Sequence, residues 1–191
     1  FLISGFVIAW SAEGRDWQSF AIARFARIYP GFLACMAITF AVLLMAADPR
    51  LPASPAQFAA NLVILSPALG QPFMDGVYWS IVLELVFYGW VALALVLGVF
   101  DRWKIPLVAG WLALSALNEF FVGSGALRML FITEYAPWFA CGILLQHVWK
   151  HGRSAETLLL LAASFLLSCS MLLPGRQWML EHYGEAVALP N

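Results

Sequence analysis

Glu84 is the residue whose position most demands a chemical reason. It stands eight positions into an apolar run, residues 77–100, and is the only charge in it. A charge at membrane depth costs a few kcal/mol unless it is neutralised or paired. On a helix, Ser80, Phe87 and Tyr88 share a face with Glu84, and that polar and aromatic face is expected to point into a bundle or a cavity. Two chemistries fit: a carboxylate that orients a catalytic partner or moves protons, or a protonated acid that hydrogen-bonds a neighbouring helix for stability. The second feature is Arg24 with Arg27, three apart in FAIARFARIYP, residues 20–30. That spacing puts both guanidiniums on one face of a helical turn, and two arginine forks beside a helix N-terminus suit a phosphate. Ordinary positive-inside anchoring accounts for the same charges without needing the spacing. The third is Ser4-Gly5-Phe6, whose small residues permit close helix contact.

Other reactive side chains are sparsely placed. His147 and His151 straddle a helix end beside Lys150, with no neighbouring carboxylate or thiol, so no metal is expected there. His182 lies in the tail. Cys35, Cys141 and Cys169 all sit in apolar stretches and read as small fillers rather than a disulfide framework. Glu119 and Glu134 flank a loop around residues 123–125 and are expected to be solvated. Neither a Ser/His/Asp arrangement nor a glycine-rich phosphate loop can be assembled.

The elements that carry these residues follow from composition. Of the 191 residues, 63% are hydrophobic and 11% charged, against about 45–50% and 25% in soluble domains. A globular surface needs more polar cover than this; a hydrocarbon solvent does not. A net charge of −1 without a basic face gives nucleic acid no foothold. Spans of about 20 apolar residues are expected at 28–47, with Pro30 in the first turn, at 77–100, 105–122 and 129–149, and, somewhat short, at 158–173. Residues 1–10 read as the end of a sixth, and 56–65, flanked by Pro55 and Pro67, as an interfacial or re-entrant helix. The fold expected is all-α: a polytopic transmembrane helix bundle of about five full spans plus the end of a sixth and a short interfacial helix. No internal boundary is visible, so 1–191 reads as a single domain.

Loop charges orient it. Arg15, Arg24, Arg27, Arg102, Lys104, Lys150 and Arg153 fall on one side; Arg50, Arg128 and Arg176 fall on the other. The richer side is expected to be cytoplasmic. Trp10, Trp17, Trp103 and Trp149 then mark the inner boundary, and Trp79, Trp138 and Trp178 the outer. The chain opens inside an apolar run, with no initiator Met, basic n-region or cleavage site, so it reads as truncated at its start and, lacking a stop signal of its own, at its end.

Taken in order, FLISGFVIAW (1–10), FAIARFARIYP (20–30), YWSIVLELVFYG (78–89) and, more weakly, YAPWFACGILL (135–145) resemble the membrane acyltransferase 3 family. The resemblance covers most of the chain up to about residue 150. It implies O-acyl transfer from cytoplasmic acyl-CoA, often acetyl-CoA, to a hydroxyl of a cell-surface or secreted saccharide, lipopolysaccharide or a lipid-linked acceptor, in the bacterial cytoplasmic membrane. It implies acyl-CoA as a donor substrate, with no permanently bound cofactor and no metal. By the same resemblance, Arg24 and Arg27 take the place of the Arg-x-x-Arg pair that meets the CoA phosphates. Glu84 takes the place of the acid in the Trp-Ser-x-x-x-Glu-x-x-Phe-Tyr helix, with Trp79, Ser80 and Tyr88 in support, and Ser4 and Gly5 match the Ser-Gly-Phe turn. The family's proposed base, a histidine on a preceding helix, and its last helices have no counterpart in these residues, so the fragment is expected to be inactive alone. The rival from another class is a proton-coupled transporter or flippase using Glu84, marked by uptake without CoA dependence; a non-catalytic scaffold would tolerate substitution of Arg24, Arg27 and Glu84 together.

Overall fold

A computed structural model describes residues 1–46, 53–64 and 66–183. Arg50 and the 186–191 tail, together with the side chains of Arg176, Trp178 and His182, fall outside the described set. Within it the chain is helical: α1 (Leu2–Ala12), α2 (Trp17–Ala46), α3 (Pro55–Asn61), a 3₁₀ turn (Ser66–Leu69), α4 (Tyr78–Val96), α5 (Phe100–Leu117) continuing into a π-turn (Asn118–Val122), α6 (Gly125–Phe131), α7 (Ala136–His151) and α8 (Ala155–Tyr183). Five segments are long and apolar enough to cross a membrane: Trp17–Ala46, Tyr78–Val96, Phe100–Val122, Gly125–His151 and Ala155–Leu172. Ile22, Phe25, Ile38 and Val42 all face outward from α2, which only an apolar solvent makes inexpensive. Two compact units are present: residues 14–98, and residues 1–13 with 99–191.

In the unit of residues 14–98, α2 begins at Trp17, well before the expected residue 28. Asp16 supplies the start: its carboxylate accepts from the Ser19 amide at 2.8 Å, satisfying one of the unpaired donors of the first turn. That hydrogen bond from Ser19 holds the exposed Asp16 carboxyl below its usual range. Arg24, Arg27 and Pro30 therefore all lie inside one continuous helix, and Pro30 is not in its first turn. Phe32 and Met36 of α2 form a core with Ile64, Met74 and Tyr78, and the Phe32 and Tyr78 rings meet edge to face at 4.9 Å. The α3 turn is too short to span, as its length and flanking prolines suggest. Ser54 caps it through the Gln57 amide at 3.0 Å, with Pro55 at the start. Asn61, fully buried, stitches the return. Its amide donates to the carbonyls of Gln57 and Pro72 (2.8 and 3.1 Å), and its oxygen accepts from Ser66 and Met74 (3.2 and 3.1 Å). Non-helical backbone at membrane depth needs this kind of satisfaction.

In the other unit, α1 lies along α7, with α5 and α8 also against α7. The expected continuous helix 129–149 is broken. Ile132 sits at φ 52° as the C-cap of α6, a conformation a β-branched residue adopts only under strong constraint. Its complete burial supplies that constraint, and Pro137 then opens α7.

Candidate functional site

The packing of α2 on α4 brings the Arg pair toward Tyr88, the hydrogen-bond partner of the acid. Phe32 and Tyr78 mark one level of that contact. Eight residues back along α2 is Arg24, and ten forward along α4 is Tyr88, displacements of about 12 and 15 Å at 1.5 Å per residue. The two helices run antiparallel, so both steps lead the same way. Arg24 and Arg27 accordingly both act electrostatically on the Tyr88 hydroxyl. Tyr88 donates its hydroxyl to Glu84 Oε2 at 2.8 Å, the one-turn spacing that the shared face anticipated. Arg24 is half-buried and Arg27 exposed. The Arg24 guanidinium stands 5.8 Å from the Phe20 ring centroid. Its Nε and Nη1 are buried without a hydrogen-bond partner among the described residues. Buried guanidinium donors left unpaired cost free energy, and an anionic oxygen placed there would recover it.

The other expected site residues separate from this cluster by role. Phe87 is buried. The Ser80 hydroxyl donates to the Val77 carbonyl at 2.9 Å, so it closes the first turn of α4 rather than joining Glu84. Trp79 is exposed, consistent with an interfacial aromatic. Gly5 is buried where α1 crosses α7: a Cβ there would meet the Phe139 backbone. Ser4, beside it, is half-buried. The Ser-Gly pair thus serves helix contact in the unit of residues 1–13 and 99–191.

Two polar clusters in that unit escaped the sequence reading. Glu13, just past α1, accepts from both Lys104 and Lys150, and Lys104 also donates to Gln146 Oε1 at 3.1 Å. Burial opposes charge on Glu13, but the two lysine hydrogen bonds prevail and hold its pKa at about 2. Three helix ends are pinned by one carboxylate. The second cluster corrects the expectation for Glu119. It is not simply solvated: Arg128 Nε donates to both its oxygens (3.1 and 2.9 Å), and Thr133 (2.6 Å) and Asn118 (2.9 Å) bind Oε1. Asn118 also takes the Ser124 amide at 2.9 Å, which locks the π-turn to the start of α6. Glu134 is exposed, as expected. A signal for Lys104 existed in sequence, a cation beside Trp103 at the head of an apolar run, but its partner lies 91 positions away.

Comparison with known proteins bears on these geometries. An acyltransferase domain model, acyltransferase 3, matches residues 1–188. The acyltransferase MdmB of Streptomyces mycarofaciens is 27% identical over 208 aligned positions, covering 86% of this chain and 50% of that protein. The chain therefore spans about half the length of the curated relative it matches. No solved structure matches. With the family pattern matched over residues 1–188, almost end to end, this chain belongs to the acyltransferase 3 family.

Proposed function

We propose that the chain is the part of a membrane O-acyltransferase that receives the acyl-CoA donor, and that Arg24 and Arg27 hold its phosphates. The observation that carries this reading is the half-buried Arg24 guanidinium, with two donors lacking a hydrogen-bond partner among the described residues, inside a spanning helix. Guanidinium donors buried without a hydrogen-bond partner are expensive, and a diphosphate or phosphomonoester presents the oxygen geometry an arginine fork takes. The donor enters from the cytoplasmic face, where the Arg side of the bundle lies by the excess of Lys and Arg. The acceptor is a saccharide or lipid-linked saccharide hydroxyl, and the acyl group is acetyl.

The transfer is direct. A base removes the acceptor hydroxyl's proton as its oxygen attacks the thioester carbonyl. The tetrahedral intermediate collapses with cleavage of the C–S bond, and the CoA thiolate takes up the proton. Glu84, fixed by Tyr88, orients the base and offsets the positive charge that develops on it. In the full-length protein, Arg24→Ala and Arg27→Ala are each expected to raise the acyl-CoA KM by about 10- to 100-fold, the value of one or two charge-assisted hydrogen bonds. Glu84→Gln is expected to lower kcat by about 100-fold or more with membrane insertion intact. Both are read by CoA release. An unchanged KM in both arginine variants rejects phosphate binding; near-normal turnover in Glu84→Gln returns that residue to a structural role.

A further inference from the structure

The Glu13 end of the α1–α7 pair carries more positive charge than its own acid neutralises. Two lysines share one carboxylate. The Lys104 side chain is sealed, at 5% exposure, whereas that of Lys150 is 48% exposed. The surplus charge therefore faces outward through Lys150. Beside it, the last turns of α1 and α7 present a ring cluster. Trp10 and Trp149 lie 5.6 Å apart, each within 6.5 Å of Phe6, and both indoles are more than half exposed, at 57% and 65%.

We propose that this surface is a binding site for an anionic phospholipid, with the headgroup phosphate on Lys150 and the glycerol and upper acyl chain against Trp10 and Trp149. A half-exposed lysine that shares its one carboxylate with a second lysine, beside exposed indoles, matches a molecule that joins a phosphodiester to hydrocarbon within a few ångströms. Indole rings favour the headgroup level of a bilayer, and a lysine at a helix end reaches toward that level. A free phosphate ion would use the cation and leave the rings bare. An apolar protein segment would cover the rings and offer the exposed side of Lys150 no anion. The site is separate from the Arg24–Tyr88 cluster and does not depend on the acyl-transfer reading.

The test is native mass spectrometry of the 191-residue chain released from micelles containing equimolar phosphatidylglycerol and phosphatidylcholine. The chain is expected to retain phosphatidylglycerol about fivefold over phosphatidylcholine, the value of one interfacial cation. Lys150→Gln is expected to bring the ratio to near one. Trp10→Leu with Trp149→Leu, which leaves the Glu13 cluster untouched, is expected to lower the retention of both lipids, since their glycerol and acyl parts are alike. Arg102→Gln removes an equal charge from an exposed position without touching the ring pair, and the preference is expected to survive it. Parity in the unsubstituted chain overturns the proposal. So does an equal loss in Arg102→Gln, which would mean diffuse surface charge. Full competition by soluble glycerol phosphate, which would mean a free-phosphate site, or a ring pair covered by a second copy of the chain with no lipid retained, also overturns it.

Discussion

Glu13→Gln is expected to destabilise the unit of residues 1–13 and 99–191 by about 3–5 kcal/mol, because it leaves the sealed Lys104 ammonium without its counter-charge. The substitution keeps the volume and a hydrogen-bond acceptor, so the loss reports charge. Lys150→Gln should cost much less, about 0–1 kcal/mol, since that side chain is half exposed and water replaces its partner. Pairing Glu13→Gln with Lys104→Met should recover much of the loss, as a buried ion pair replaced by apolar packing commonly does. Denaturant titration in mixed micelles measures all three. The same carboxylate sets an acid limit. Its pKa falls from 4.5 unfolded to about 2 folded, so its contribution is complete above pH 4.5 and is lost as the pH drops towards 2. The unsubstituted chain should weaken across that window and Glu13→Gln should not share that component. Identical acid profiles for the two would remove Glu13 from the account of stability.

How much of this could be read from the residues alone depends on the reach of each interaction. The spans were legible because each is a local run of apolar side chains. The Glu84–Tyr88 pair was legible because a helix brings residues four apart to one face. The position of α2's start was legible in principle, since Asp16 stands three before Ser19, but the polar segment with Arg24 and Arg27 masks the helix when only hydropathy is followed. The break at Ile132 was not legible: a β-branched residue in the left-handed region contradicts its local preference, and only its complete burial enforces it. The Glu13 cluster was likewise hidden, since its lysines stand 91 and 137 positions away and nothing local distinguishes Glu13 from a solvated loop acid. Glu119 was misjudged for the same reason. Its partners Thr133 and Arg128 lie beyond a turn whose shape depends on Asn118.

Alanine at Gly142 or at Gly5 is expected to destabilise the α1–α7 contact by about 2–3 kcal/mol or more, although alanine favours a helix over glycine by about 1 kcal/mol. A Cβ at Gly142 would fall on the Leu2 carbonyl oxygen and 2.6 Å from the Phe6 nitrogen. One at Gly5 would fall on the Phe139 carbonyl oxygen and 2.9 Å from its carbon. Every one of these atoms is backbone, so no side chain can swing away, and relief requires the helix axes to part. Parting them forfeits the dispersion contacts that small residues make possible where no hydrophobic effect drives association. Gly110, inside α5, has nothing within 4 Å of its Cβ position, and Gly110→Ala should be neutral or stabilising by up to about 1 kcal/mol. The pair should also be sub-additive. Once either alanine has pushed the helices apart, the second meets open space, and the double variant should lose little more than the worse single one. Thermal denaturation of the four variants decides it: equal behaviour of Gly110 and Gly142, or losses that simply add, would show that α1 and α7 do not meet backbone to backbone.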